Sequence, residues 1–108
     1  MKGDRLGEFE EFTLLAVRAL EGEGYAVPLQ QYMERTTGRR VSMGAVYAAL
    51  NRLEEKGFVQ SVLGDATPEP GGKRRRLFDV TPDGMRTVRD LRRVREKIWQ
   101  AIEPGRRS

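Results

Sequence analysis

The sequence predicts a mainly α fold with a small β-ribbon, and three observations predict it. Apolar residues recur at steps of three and four in four separate stretches, each with its own start or stop signal. Two β-prone runs, Phe58 to Leu63 and Lys73 to Val80, flank a segment 64–72 that holds two Pro and three Gly. The chain has 108 residues, which is room for one domain with a modest core.

The first helix is expected over Gly7 to Leu20, where Phe9, Phe12, Leu15, Ala16 and Ala19 form the apolar stripe. Glu8, Glu10 and Glu11 fill its opening turn, where acidic groups suit the positive end of the helix dipole. They are also expected to answer the arginines of the last helix. Gly22-Glu23-Gly24 breaks the pattern, and Tyr25-Ala26-Val27 leads into Pro28 in the first turn of a second helix. Leu29, Tyr32 and Met33 provide its buried side, and Gly38 is its C-cap. After the connector Arg39-Arg40-Val41, Ser42 is a good N-cap for a third helix running to about Lys56. Met43, Val46, Leu50 and Leu53 make its buried face, and Gly44, Ala45, Tyr47, Ala48, Asn51 and Arg52 make the opposite one.

The two β-prone runs pair as a ribbon, with Phe78 and Val80 on one face, covering the helices. Thr81-Pro82 starts the last helix, Thr at the N-cap and Pro at the first helical position. That helix runs to about Ile102 and lines up Val88, Leu91, Val94, Ile98 and Ile102, with Trp99 at the edge and Arg86, Arg89, Arg92, Arg93 and Arg95 around them. Three helices, a ribbon and a long helix describe a winged helix-turn-helix over residues 1–81. A C-terminal dimerisation helix over 82–103 and a tail at 104–108 complete the chain.

Composition narrows the function. There is no Cys and no His, so thiol nucleophiles, zinc-thiolate sites and the usual general base are absent, and neither a metal nor a cofactor is expected. Asp79 and Asp83 are the nearest carboxylate pair, and they read as a ribbon end and a helix opening rather than a catalytic pair. No run approaches the ~18 apolar residues of a bilayer span, and the first residues lack the apolar stretch of a signal peptide, so a cytoplasmic protein with no membrane partner is expected. Residues 1–34 hold 3 Lys/Arg against 7 Asp/Glu, whereas residues 35–108 hold 17 against 9, giving the net +4. Positive charge gathered in one part points to a polyanion, although a solvated basic face carries the same count.

Three features carry the functional reading. Lys73, Arg74, Arg75 and Arg76 stand at the ribbon entrance, where alternation lets two of the four reach one DNA backbone together. The alternative is an edge strand charged against unwanted pairing. Ser42, Gly44, Tyr47, Ala48, Asn51 and Arg52 form a face small enough at its start to enter a major groove, with Asn51 the candidate base reader and Tyr47 a backbone contact. Tyr47 as a core residue with its hydroxyl at the surface is the competing reading. Leu91, Val94, Ile98 and Ile102 exceed what a winged-helix core needs, so a second copy is the expected partner, with Phe9, Phe12 and Trp99 in the same interface. Trp99 is also a candidate wall for a planar, cationic or aromatic effector, interface core being the plainer role.

The run Val41-Ser42-Met43-Gly44-Ala45-Val46-Tyr47-Ala48-Ala49-Leu50-Asn51-Arg52-Leu53-Glu54-Glu55-Lys56-Gly57, followed by Gly71-Gly72-Lys73-Arg74-Arg75-Arg76-Leu77-Phe78-Asp79-Val80-Thr81-Pro82, resembles the PadR family of bacterial transcriptional regulators. Leu6-Gly7-Glu8-Phe9-Glu10 and Leu14-Leu15 are similar to the family's opening. The resemblance spans Leu6 to Ile102 and implies a dimeric repressor that binds double-stranded DNA at a promoter and is often released by a small molecule. Leu77 departs from the aromatic residue common at its position, and the single C-terminal helix leaves no separate effector domain. A winged helix that binds an acidic protein is the remaining alternative.

Overall fold

The computed structural model describes residues 6–66 and 74–104, with only the backbone of Asp65, Ala66 and Arg74. Its elements are α1 (Glu8–Ala19), α2 (Ala26–Thr37), α3 (Met43–Glu55), β1 (Val59–Ala66), β2 (Arg74–Val80) and α4 (Pro82–Ile102). The order is the expected one. The strands form a two-stranded antiparallel sheet in which Val59 faces Val80, Ser61 faces Phe78 and Leu63 faces Arg76. Lys73, the Gly71-Gly72 tip and the tail residues 105–108 lie outside the described residues.

Local chemistry sets the boundaries. Ser42 Oγ accepts a hydrogen bond from the Ala45 N–H at 3.1 Å, and Thr81 Oγ1 accepts one from the Gly84 N–H at 3.1 Å, each satisfying a donor that the first helical turn leaves open. Gly38 ends α2 in the left-handed conformation, at φ +70°. The core is one cluster. Leu14 and Val17 of α1, Leu29 and Met33 of α2, Val46, Leu50 and Leu53 of α3, Phe58, Val59 and Phe78 from the ribbon, and Val88 of α4 are all buried in it.

Four expectations change. On α1 the buried face is Thr13, Leu14, Ala16 and Val17, one position round from the expected stripe, and Leu15 and Ala19 are exposed. β1 continues through Gly64 to Ala66, where a loop was predicted from Gly64 onward. The pairing skips between Leu63 and Ala66, and this irregularity carries the strand past a glycine that would normally end it. On α3, Met43 is only half-buried while Ala49 is fully buried, because the helix packs against α1, α2 and β1 at once and its buried face is wider than one stripe. The acidic opening turn of α1 also divides its attention. Glu11 answers Arg95 of α4, as expected, but Glu10 binds Arg52 and Lys56 of α3, and Glu8 faces Arg39 at 3.5 Å. Successive residues on a helix point about 100° apart, so neighbouring carboxylates meet different neighbours.

The root of α4 is held tightly. Thr81 donates its backbone N–H to the Phe58 carbonyl at 3.0 Å and its hydroxyl to the Gly57 carbonyl at 2.7 Å. A Cβ at Gly84 would stand 2.3 Å from the Phe58 carbonyl oxygen, so only glycine permits this approach. Beyond Leu91 the helix leaves the body, and every described residue from Arg92 onward is exposed. The molecule is accordingly elongated, 59 × 30 × 22 Å. No helix among the described residues is long and apolar enough to cross a membrane, and none of their carboxylates form a cluster fit for a metal ion.

Candidate nucleic-acid interface

The exposed face of α3 begins at its capped N-terminus. Gly44 is exposed, and a Cβ built on it meets nothing within 4 Å. The fold therefore has room for a side chain at this point of the helix, yet the residue is the poorest helix former after proline. One turn on, Tyr47 is 51% exposed, which removes it from the core. Asn51 and Arg52 follow on the same exposed side, while Ala48 is half-buried beside them. Ser42 is exposed and spends one oxygen lone pair on its cap.

The wing meets this face across a cleft of about 320 Å³, lined by Tyr25, Val27 and Pro28 from the start of α2, Tyr47 from α3, and Arg75 and Arg76 from β2. The two arginines are held differently. Arg76 donates to Glu54 at the end of α3 and to Ser61 Oγ at 2.7 Å, and its guanidinium lies 4.9 Å from the centre of the Phe78 ring. Arg75 has no carboxylate partner among the described residues and stacks on Tyr25, its guanidinium carbon 4.3 Å from the ring centre. Arg74 enters the wing at the position paired with Ala66.

Beneath the face lies a charged anchor. Glu10, 9% exposed, accepts from Arg52 Nε at 2.6 Å and from Lys56 Nζ at 2.7 Å. Burial by itself pushes the Glu10 carboxyl up, but the hydrogen bonds from Lys56 and Arg52, with their positive charges, outweigh it and hold the carboxyl below its ordinary range. Arg52 thus ties α3 to α1 while keeping half of its side chain in solvent. The connector adds Arg39 and Arg40, both exposed, beside Ser42 in an open groove that Phe9 also lines.

The apolar residues expected in an interface divide in two. Val94, Ile98, Trp99 and Ile102 are each about half-exposed or more, and Leu91 is half-buried where α4 leaves the body. Phe9 and Phe12 of α1 are half-buried, Phe12 lining a groove with Leu15, Tyr32 and Met33.

Residues 14–90 match the model of the transcriptional regulator PadR-like family. The chain belongs to this family. As a PadR-like protein it is a transcriptional regulator and not an enzyme. It is similar to the transcriptional regulator Rv3488 of Mycobacterium tuberculosis, 32% identical over 101 residues that span 88% of this chain and 90% of the relative. The fold is similar to that of a PadR-like transcription factor from Bacteroides fragilis, with TM-score 0.72 and 18% identity over 90% of this chain and 88% of that one. It is also similar to a transcriptional regulator from Clostridium thermocellum, with TM-score 0.68 and 21% identity over 89% and 87% of the two chains. The PadR-like assignment makes DNA the partner.

Local patterning brings out the α3 face and the wing arginines, but misses Tyr25 and Glu54, which hold the wing, and assigns Glu10 to the last helix when it holds α3. Tyr25 carried one available signal: an aromatic residue directly after Gly24 and directly before a helix, at a point where nothing in the apolar pattern asks for one.

Proposed function

We propose that this PadR-like regulator is a homodimeric repressor that binds a palindromic promoter site. α3 enters the major groove, and Asn51 reads a base edge there while Gly44 and Ala48 allow close approach. Tyr47 and Ser42 bond the DNA backbone at its margin, and Lys73, Arg74 and Arg75 neutralise phosphates from the wing, while Arg76, expected among them, is paired with Glu54 and braces the wing against α3. Arg52 steadies α3 through Glu10 and offers the rest of its guanidinium to the same backbone. The single observation that carries this reading is Gly44, an exposed helical glycine with open space where its side chain would be. Its smallness serves something outside the chain.

The dimer is built on α4. Leu91, Val94, Ile98, Trp99 and Ile102 form its centre, with Phe9 and Phe12 at its margin, and two-fold symmetry presents two α3 helices to the two halves of the site. Trp99 stands open on one copy, so a planar or aromatic effector bound there takes its second wall from the other copy. Residues 1–81 form the reading head and 82–103 the dimerisation helix.

A fluorescence-anisotropy titration tests the DNA reading, comparing a duplex from upstream of the protein's own gene with a scrambled duplex at two salt concentrations. Binding to the upstream duplex tighter by about 10³ is the expected outcome for a self-repressing regulator. Equal binding to the two duplexes would remove this site as the operator. The absence of binding to either at low salt would overturn the DNA reading.

A further inference from the structure

We infer that Tyr25, which makes no part of the proposed DNA-contacting set, is the positioning residue of the wing: its ring holds the Arg75 guanidinium at the mouth of the cleft beside Tyr47. The inference rests on the proposed DNA reading and names the residue that makes the wing's free charge usable.

The geometry begins with the backbone. Gly24 is buried, its carbonyl accepts the Phe78 N–H at 3.0 Å, and a Cβ on it would stand 2.5 Å from the Phe78 carbonyl oxygen. The chain before α2 is thus stitched edge-on to β2. Tyr25 follows as the N-cap residue of α2, in extended conformation, with its carbonyl accepting the Leu29 N–H at 3.0 Å. Its backbone is therefore held from both sides, and its ring takes the direction of the wing. That direction leads between the strands. The ring lies under Arg75 of β2, and its hydroxyl end reaches β1, where a Cβ at Gly64 would sit 2.8 Å from the Tyr25 Oη and 3.1 Å from the ring edge. Gly64 is the residue at which β1 continues although a loop was expected, so the strand passes here with no side chain to displace the ring.

Charge then separates the two wing arginines. Arg76 is matched by Glu54 and buttressed by Ser61, so its charge is already answered within the fold. Arg75 is matched by no carboxylate among the described residues, and the ring face is its described partner. A ring face orients a guanidinium without neutralising it, leaving the N–H groups in the guanidinium plane for a phosphate. An exposed arginine otherwise loses its rotamer freedom when it binds. Tyr25 imposes that order beforehand, so the effect appears in affinity and passes through Arg75 alone.

Double-mutant cycles on a scrambled duplex test this, because a phosphate contact does not depend on sequence. Tyr25→Phe keeps the ring face and is expected to bind within about twofold of the unaltered protein. Tyr25→Leu keeps bulk without the face and is expected to lose about three- to tenfold in affinity. In the Arg75→Ala background the same Tyr25→Leu change is expected to cost nothing further. Gly64→Ala supplies a second route, since its methyl group would stand 2.8 Å from the Tyr25 hydroxyl and 3.2 Å from the Arg75 carbonyl. An effect that runs through the ring should be relieved by Tyr25→Phe, which removes the nearer contact. Gly64→Ala should weaken binding in the unaltered background and not in the Arg75→Ala one, which keeps the test decisive if Tyr25→Leu folds poorly. Losses that add fully to that of Arg75→Ala, or a Phe variant as weak as the Leu variant, would overturn the role of Tyr25 while leaving the wing assignment standing. An Arg75→Ala variant that binds like the unaltered protein would overturn both together.

Discussion

The reading head and the outer half of α4 are made of similar residues put to opposite uses. In the head, Leu14, Leu50, Leu53 and Phe78 are buried to 2% exposure or less. On α4, Val94, Ile98 and Ile102 are 53–60% exposed although their spacing is as regular as that of any core stripe. The difference lies in what stands opposite. The head closes three helices and a ribbon around one cluster, whereas α4 past Leu91 is exposed along its described length and tied back to α1 by the Glu11–Arg95 ion pair. A regular apolar stripe is therefore a statement about a partner, and the partner need not belong to the same chain.

The contrast can be broken most directly in the core. Phe78→Ala should lower the free energy of unfolding by about 3–5 kcal/mol, measured by chemical denaturation, since it removes a fully buried ring from the junction of wing and helices. A loss below about 1 kcal/mol would mean that the head is less closed than its burial indicates. The next effect belongs to α4. Ile98→Asp should raise the dissociation constant of the proposed dimer in sedimentation equilibrium by a factor corresponding to about 2–4 kcal/mol, while the monomer stays folded. An unchanged association state would place the dimer contact elsewhere.

Asn51→Ala sharpens the comparison inside the head, because Asn51 is exposed and its loss should not alter stability. It should instead cost about 1–3 kcal/mol of discrimination at one base pair, read from anisotropy on a panel of single-substituted duplexes. The smallest effect is expected at Glu10. Its carboxyl titrates below the ordinary range in the folded chain, so it contributes stability that is present above the unfolded value and lost as pH falls through the folded one. Glu10→Gln should therefore cost about 1–2 kcal/mol at neutral pH and progressively less on acidification, as denaturation at a series of pH values would register. An equal cost at every pH would show that Glu10 acts through its hydrogen bonds and not through its charge.

How much of this was legible from the chain depends on how far each signal reaches. The helix boundaries follow from short-range chemistry, namely the hydroxyl of Ser42, the Thr81-Pro82 pair and the left-handed Gly38, and the expected helices fall within about two residues of the observed ones. The exposed face of α3 was legible for the same reason, since a helical period and small side chains are local properties. The supports of that face were not. Glu10 meets Arg52 and Lys56 across separations of 42 and 46 residues, and Glu11 meets Arg95 across 84. An acidic opening turn announces that carboxylates are present without saying which helix each will face. The course of β1 past Gly64 was hidden for a related reason. Glycine reads as a stop in sequence, whereas here it is the clearance that another element's tyrosine requires.

The glycine at the root of α4 has a mechanical consequence. Gly84 presses against the Phe58 carbonyl, and Thr81 is hydrogen-bonded to Gly57 and Phe58, so α4 is held closely where it joins the head. A helix of 21 residues is about 31 Å long, and a rigid rod of that length acts as a lever. Rocking it by about 5° about its root would move the far end by about 3 Å. With a second copy attached to the outer half, the gearing runs the other way as well: small shifts where the two helices cross would swing each head as one body and change the distance between the two reading helices.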